Sequence, residues 1–259
     1  GIEDGYMFLF YVLLGINVAI TLPAWCASLS TGATRETARR KESPPARAHR
    51  RLLRTYLVPY LLATCADWLQ GPYKYALYSS YGYTQRDIAH LFVAGYGSGM
   101  VIGSIIGGLA DKYGRKRLCL VYCLSYAFSV LMKHCKLFYA LLLGRIGGGI
   151  ATSLLFSVFE SWLICAHRER GLGHVDGGSV TRAEEERWLA KSLSAAMYGS
   201  SLVAIGSGVA ANALVERSGQ MRPWNGQEDS SVYVGGCIAA FDACLVPLVL
   251  CAALIGASW

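Results

Sequence analysis

Residues 107–117 read Gly107-Gly-Leu-Ala-Asp-Lys-Tyr-Gly-Arg-Lys-Arg117 and close a long apolar segment. Upstream, Gly95, Gly99, Gly103 and Gly107 recur every four residues. That spacing places all four on one helix face, where the missing side chains let another backbone approach closely. The helix then meets Asp111, the turn residue Gly114 and four positive charges. A glycine-smooth apolar helix with a basic ending reads as a membrane span whose end reaches the water interface. The ladder is expected to pack on a surface supplied from elsewhere.

Composition agrees with spans. The 259-residue chain is 54% hydrophobic and 16% charged, with a mean hydropathy of +0.36. Charge this sparse and this clustered argues for a lipid bilayer as the partner of most of the surface. Apolar runs long enough to cross a membrane are expected at 6–29, 55–80, 88–110, 118–133, 137–165, 188–215 and 232–257. The turn Lys133-His-Cys-Lys136 leaves little room for a loop, so its flanking helices should form a tight hairpin. Of the 24 Lys and Arg, 16 fall in residues 31–54, 111–117 and 166–187, against 5 in the alternate connections. By the positive-inside rule the N-terminus is outside and the 111–117 loop is cytoplasmic. A nucleic-acid surface would need aromatic interleaving on a soluble domain, and none is expected. The nine cysteines show no zinc-type spacing, so neither a metal nor a cofactor is expected.

The chain divides into an extra N-terminal helix (1–30), a basic cytoplasmic linker (31–54) and a group of six helices (55–259). The first apolar run is longer than a signal-peptide core and follows Glu3 and Asp4 instead of a basic segment, so it reads as a real span. Six helices with a short turn between the third and fourth fit one half of a transporter built as a three-plus-three inverted repeat. A second half, or a second copy of the chain, is then the expected partner.

Ionisable residues inside membrane helices are costly and functional by default. Asp67 and Lys74 lie seven residues apart, hence on one face, with Gln70 between them. They read either as a proton-accepting acid beside an anion-attracting cation or as a self-neutralising pair. Arg145, Gly149, Thr152, Phe156 and Glu160 share a face of a later helix. Lys74 and Arg145 fall at similar depth on antiparallel helices, which would suit a tetrahedral oxyanion bound by a cationic fork. The alternative is that Arg145 pairs with Asp67 or Glu160 and locks the two helices. Glu160 is a second candidate for proton coupling or for a gate with Lys191. Asp242 interrupts an apolar run, and His134 is expected to be solvated.

Four strings carry a family resemblance: Asp67-Trp-Leu-Gln-Gly-Pro-Tyr73, Gly107 to Arg117, Gly144-Arg145, and Ala151 to Trp162 with its Phe-Glu-Ser-Trp ending. Together they resemble the molybdate-anion transporter family within the major facilitator superfamily. The resemblance implies uptake of molybdate across the plasma membrane by a secondary active mechanism. It also implies that Gly107, Asp111, Gly114 and Arg115 belong to a cytoplasmic latch between halves, with Asp111 near a helix terminus of the second half. Two other readings remain at this point: a proton-coupled carrier of sugars or drugs, and a non-transporting seven-helix receptor or sensor. An enzyme is set aside because no nucleophile–base or metal constellation occurs at usable spacing.

Overall fold

The computed structural model describes residue 12 and residues 44–169, 182–227 and 230–259. The expected helix 6–29 and most of the linker 31–54 lie outside the described residues. The chain splits into two compact units, Gly1–Arg47 and Ala48–Trp259, and the bundle below belongs to the second.

The first described helix, α1, runs Pro44–Gln70. The stretch expected as linker is therefore helical from Pro44 onward. Prolines in a first turn forfeit no internal bond, and the Ala, Arg and Leu residues that follow favour helix. Further along, Pro72 cannot donate to the carbonyl four residues back. The helix tightens into one 3-10 turn, Gly71–Tyr73, and resumes as α2, Lys74–Ser80.

A capping box starts α3, Gln85–Tyr113: Asp87 N donates to Thr84 Oγ1 (3.3 Å) and Thr84 N to the Asp87 carboxylate (3.2 Å). Gly114, at φ 85°, turns the chain directly into α4, Arg115–Lys133. A short turn leads to α5, Phe138–Glu169, and then α6 spans Arg182–Ser218.

The last expected span, 232–257, is not one helix. Two-residue strands β1 (Arg222–Pro223) and β2 (Tyr233–Val234) pair antiparallel. Gly235 and Gly236, both at positive φ, then turn the chain into α7, Ile238–Ala243. Pro247 cannot bond the Ala243 carbonyl, so the helix breaks at Cys244 and continues as α8, Leu245–Ser258. The strand pair clips the α4–α5 turn: Lys136 N donates to Ser231 O (2.8 Å) and Tyr233 N to His134 O (2.9 Å).

α5 forms the centre, packed along α3 on one side and α4 on the other, and α8 packs on α4. Glycines make these approaches possible. A Cβ on Gly144 would lie 2.7 Å from Met132 Cβ, and one on Gly149 would overlap the Gly95 carbonyl oxygen. The glycine ladder is thus used mainly inside the chain, against the expectation of an outside surface. Gly95, Gly99 and Gly103 all face α5, where a Cβ on them would meet the Arg145 guanidinium, the Gly149 carbonyl and the Ser153 hydroxyl respectively. Of the four, Gly107 alone has no neighbour within 4 Å of such a Cβ among the described residues.

Pro59 adds a tie of a different kind. It leaves the Thr55 carbonyl without its helical donor, and Trp259 Nε1 donates to that oxygen at 3.0 Å. Trp259 also stacks on Trp162 with ring centroids 3.7 Å apart.

Four helices, Gln85–Tyr113, Phe138–Glu169, Ala183–Ser218 and Ile238–Ser258, are long and apolar enough to cross a membrane. Val93, Met100, Leu202, Ile205, Val209, Val246 and Val249 are exposed on this bundle. Outward apolar faces of that kind belong in hydrocarbon, and the architecture is that of an all-α membrane protein.

Candidate functional site

A cavity of about 440 Å³ opens between α1–α2, α3, α4 and α5. It is lined by Asp67, Gln70, Lys74, Arg145 and Thr152, so five of the residues singled out in the sequence meet there. The seven-residue spacing of Asp67 and Lys74 keeps both on the cavity even though the helix breaks between them. Phe156, from the same expected face of α5, also lines it.

Each cavity side chain has an identifiable support. The Asp67 carboxylate accepts a short hydrogen bond from the Tyr126 hydroxyl. Arg145 is 7% exposed; its Nε donates to Leu91 O (3.2 Å), and its guanidinium covers the rings of Phe92 (4.7 Å) and Tyr96 (5.8 Å). Cation–π contact and one backbone acceptor hold the fork while leaving further N–H donors for other partners. Thr152 Oγ1 donates back to Gly148 O (2.9 Å), so its lone pairs are what it offers to the cavity. The expected alternative, in which Arg145 pairs with Asp67 or Glu160, does not occur. Among the described residues neither Arg145 nor Lys74 has a carboxylate within ion-pair distance.

Sequence reasoning missed the wall that α4 contributes to the cavity. Lys133, counted as a turn charge, is 2% exposed and lines the cavity with Ser129 and Tyr126. Its Nζ donates to Gln70 Oε1 at 2.6 Å. The signal was present: Tyr122, Tyr126, Ser129 and Lys133 recur at intervals of 4, 3 and 4, a polar stripe on one face of α4.

Glu160 is not in this cavity. It is exposed and lines a second one, of about 390 Å³, with Arg115, Ser161, Cys165 and Arg168. Lys191 is not paired with it among the described residues. Arg115, on α4, reaches both neighbouring helices: it donates to Asp111 Oδ1 (2.9 Å) on α3 and to Ser161 Oγ (2.9 Å) and Cys165 Sγ (3.3 Å) on α5. Asp111 and Arg115 therefore pair with each other across the Gly114 break.

His134 is more structured than expected, and two histidines for which the sequence raised no expectation pack together. His134 Nε2 lies 3.0 Å from Asp242 Oδ1, tying the α4–α5 turn to α7 instead of being solvated. That hydrogen bond raises the His134 pKa against the opposing effect of burial. At the other end of the bundle, His49 stacks on Trp188 (5.3 Å) and meets His167 edge-on (5.6 Å). Burial lowers the pKa of both, and the neighbouring His167 and Lys191 lower His49 further. Glu185, 3.7 Å from His167, pulls the other way.

Comparison with known proteins gives the family. A family model described as sugar transporters with 12 transmembrane spans matches residues 10–259. The molybdate-anion transporter of Danio rerio is 32% identical over 96% of this chain and 45% of its own length. That of Takifugu rubripes is 36% identical over 76% of this chain and 39% of its own length, and that of Xenopus tropicalis 35% identical over 61% and 32%. The chain thus spans less than half the length of these relatives. No solved structure matches it. The relatives are transporters and not enzymes, and the chain belongs to the major facilitator superfamily, in the family that holds the molybdate-anion transporters.

Proposed function

We propose that this chain supplies the substrate-binding half of a secondary active transporter that takes up molybdate or a similar oxyanion. The observation that carries the reading is the cavity: Lys74, Lys133 and Arg145 line one space, and none has a carboxylate partner among the described residues. Cations kept in a low-dielectric interior without a counter-charge are costly, and an anion entering from water offsets that cost. Arg145 and Lys74 would bind the oxyanion, Gln70 and Thr152 would orient it, and Asp67 would carry the coupled proton. Glu160 would act at the far end of the path, toward the second cavity.

The same reading arranges the rest of the chain. Residues 55–259 form a three-plus-three repeat, preceded by one extra span and a basic linker. The N-terminus faces outside the cell membrane and residues 111–117 the cytoplasm. Asp111 and Arg115, paired here with each other, would exchange that contact for a helix terminus of a second half or a second copy during the cycle. A carboxylate at a helix N-terminus gains about 0.3–1 kcal/mol at exposed sites, enough to bias an equilibrium and weak enough to release.

A second reading, a sugar carrier, draws on the description of the family model. A neutral sugar would leave the three cavity cations with Asp67 as the one opposing charge among the described residues, which favours the oxyanion. Uptake of labelled molybdate by cells expressing the full-length protein separates the two. Excess tungstate or sulfate is expected to block uptake while excess hexose does not; inhibition by hexose alone would favour the sugar carrier.

A further inference from the structure

Lys133 ends α4, one turn from solvent, where a lysine ordinarily extends its four-carbon stem to place the ammonium in water. It does not do so here. Its side chain is folded inward and 2% exposed, while Lys136, three residues on, is exposed.

The inward position is built, not incidental. Nζ donates to Gln70 Oε1 (2.6 Å) and lies 3.4 Å from Ser129 Oγ. The ring of Phe241 lies beneath it at 4.6 Å. Gln70, itself fully buried, donates through Nε2 to Cys244 Sγ (3.2 Å), which fixes the amide so that its oxygen points at Lys133. None of these partners carries a charge. Among the described residues the cavity therefore holds three cations, Lys74, Lys133 and Arg145, against one carboxylate, Asp67, which is occupied by the Tyr126 hydroxyl.

Excess charge has a specific consequence for anions of equal shape. Stripping water from an ion costs in proportion to the square of its charge, while attraction to fixed cations grows only in direct proportion. A weakly positive cavity therefore prefers a singly charged oxyanion, and only a strongly positive one prefers a doubly charged one. We propose that Lys133, held inward by Gln70, is the charge-selecting residue of this cavity and gives doubly charged oxyanions preference over singly charged ones of the same geometry. This rests on the oxyanion reading above.

The test uses purified full-length protein and two tetrahedral probes, molybdate (charge −2) and perrhenate (charge −1), with affinity measured for each separately by calorimetry. Wild type is expected to favour molybdate. Lys133→Met, which keeps the stem and removes the charge, is expected to weaken molybdate at least about tenfold, given the strength of one charge at contact distance, and to weaken perrhenate by only about the square root of that factor. Gln70→Glu, which places a carboxylate beside the ammonium, is expected to erase the same preference and carries the test if Lys133→Met does not fold. Equal weakening of both anions, or an unchanged ratio in these variants, would mean that Lys133 is structural and would overturn the proposal. A wild-type protein that binds neither anion would instead remove the oxyanion reading itself, and this inference with it.

Discussion

The guanidinium of Arg145 occupies the space that a side chain at Gly95 would fill: a Cβ there would lie 2.6 Å from Nη2 and 2.8 Å from Cζ. One glycine thus shapes both the approach of α3 to α5 and the seat of the cavity's arginine. Gly149 completes the contact from the other helix, since a Cβ there would overlap Gly95 O.

Alanine at these positions separates the ladder's roles. Gly149→Ala forces two backbones apart and is expected to lower stability by about 1–3 kcal/mol, as overpacking does. Gly95→Ala meets a flexible side chain instead, so it is expected to displace Arg145 and weaken oxyanion uptake with a smaller loss of stability. Gly107→Ala meets nothing within the described residues, so its stability is expected to match wild type. Thermal unfolding in detergent, set beside uptake, distinguishes the three. Equal behaviour of Gly149→Ala and Gly107→Ala would contradict the packing described.

Much of this was legible in the sequence, and the exceptions have physical causes. Spacing alone predicted that Asp67 and Lys74 line one wall and Arg145 and Thr152 another, because helical periodicity survives a single 3-10 turn. Lys133 was lost because a charge at the end of an apolar run reads as the end of a span. The packing of α1 and α7 over it, through Gln70 and Phe241, helps to bury it. The break at Cys244 was lost for the opposite reason. Apolarity from 238 to 257, interrupted by a charge at Asp242 alone, hides the local effect of Pro247, and the β1–β2 pair is too short for an alternating pattern to show.

The bond from Tyr126 to Asp67 bears on coupling. Asp67→Asn is expected to keep oxyanion binding and to lose the acceleration of uptake by an inward proton gradient. Tyr126→Phe, which leaves the carboxyl group in place but frees it, is expected to retain part of that acceleration. Uptake into proteoliposomes with and without the gradient reads both. Full acceleration in Asp67→Asn would remove Asp67 from the proton path.

The two histidine sites respond to pH with opposite sign. His134 has a folded-state pKa raised above 6.5 by Asp242. Its stabilising tie is fully present below pH 6.5 and is lost as pH rises through the raised value. His49 and His167 have folded-state values lowered below 6.5. Their contribution is fully present above pH 6.5 and declines as pH falls toward the lowered values, when charging two facing rings opposes the packing of α1, α5 and α6. His134→Gln is therefore expected to destabilise more at pH 6 than at pH 8. His167→Gln is expected to reduce the loss of stability on acidification. Unfolding midpoints across pH 5–8 test each variant.

The account's central claim is that the cationic cavity is where an oxyanion binds during transport. The most direct measurement is molybdate uptake by full-length protein carrying Arg145→Ala or Lys74→Ala, with surface expression matched to wild type. Each single variant is expected to reduce uptake at least about tenfold, as losing a charge-assisted contact in a desolvated site does. Uptake at the wild-type level in both variants would contradict the account.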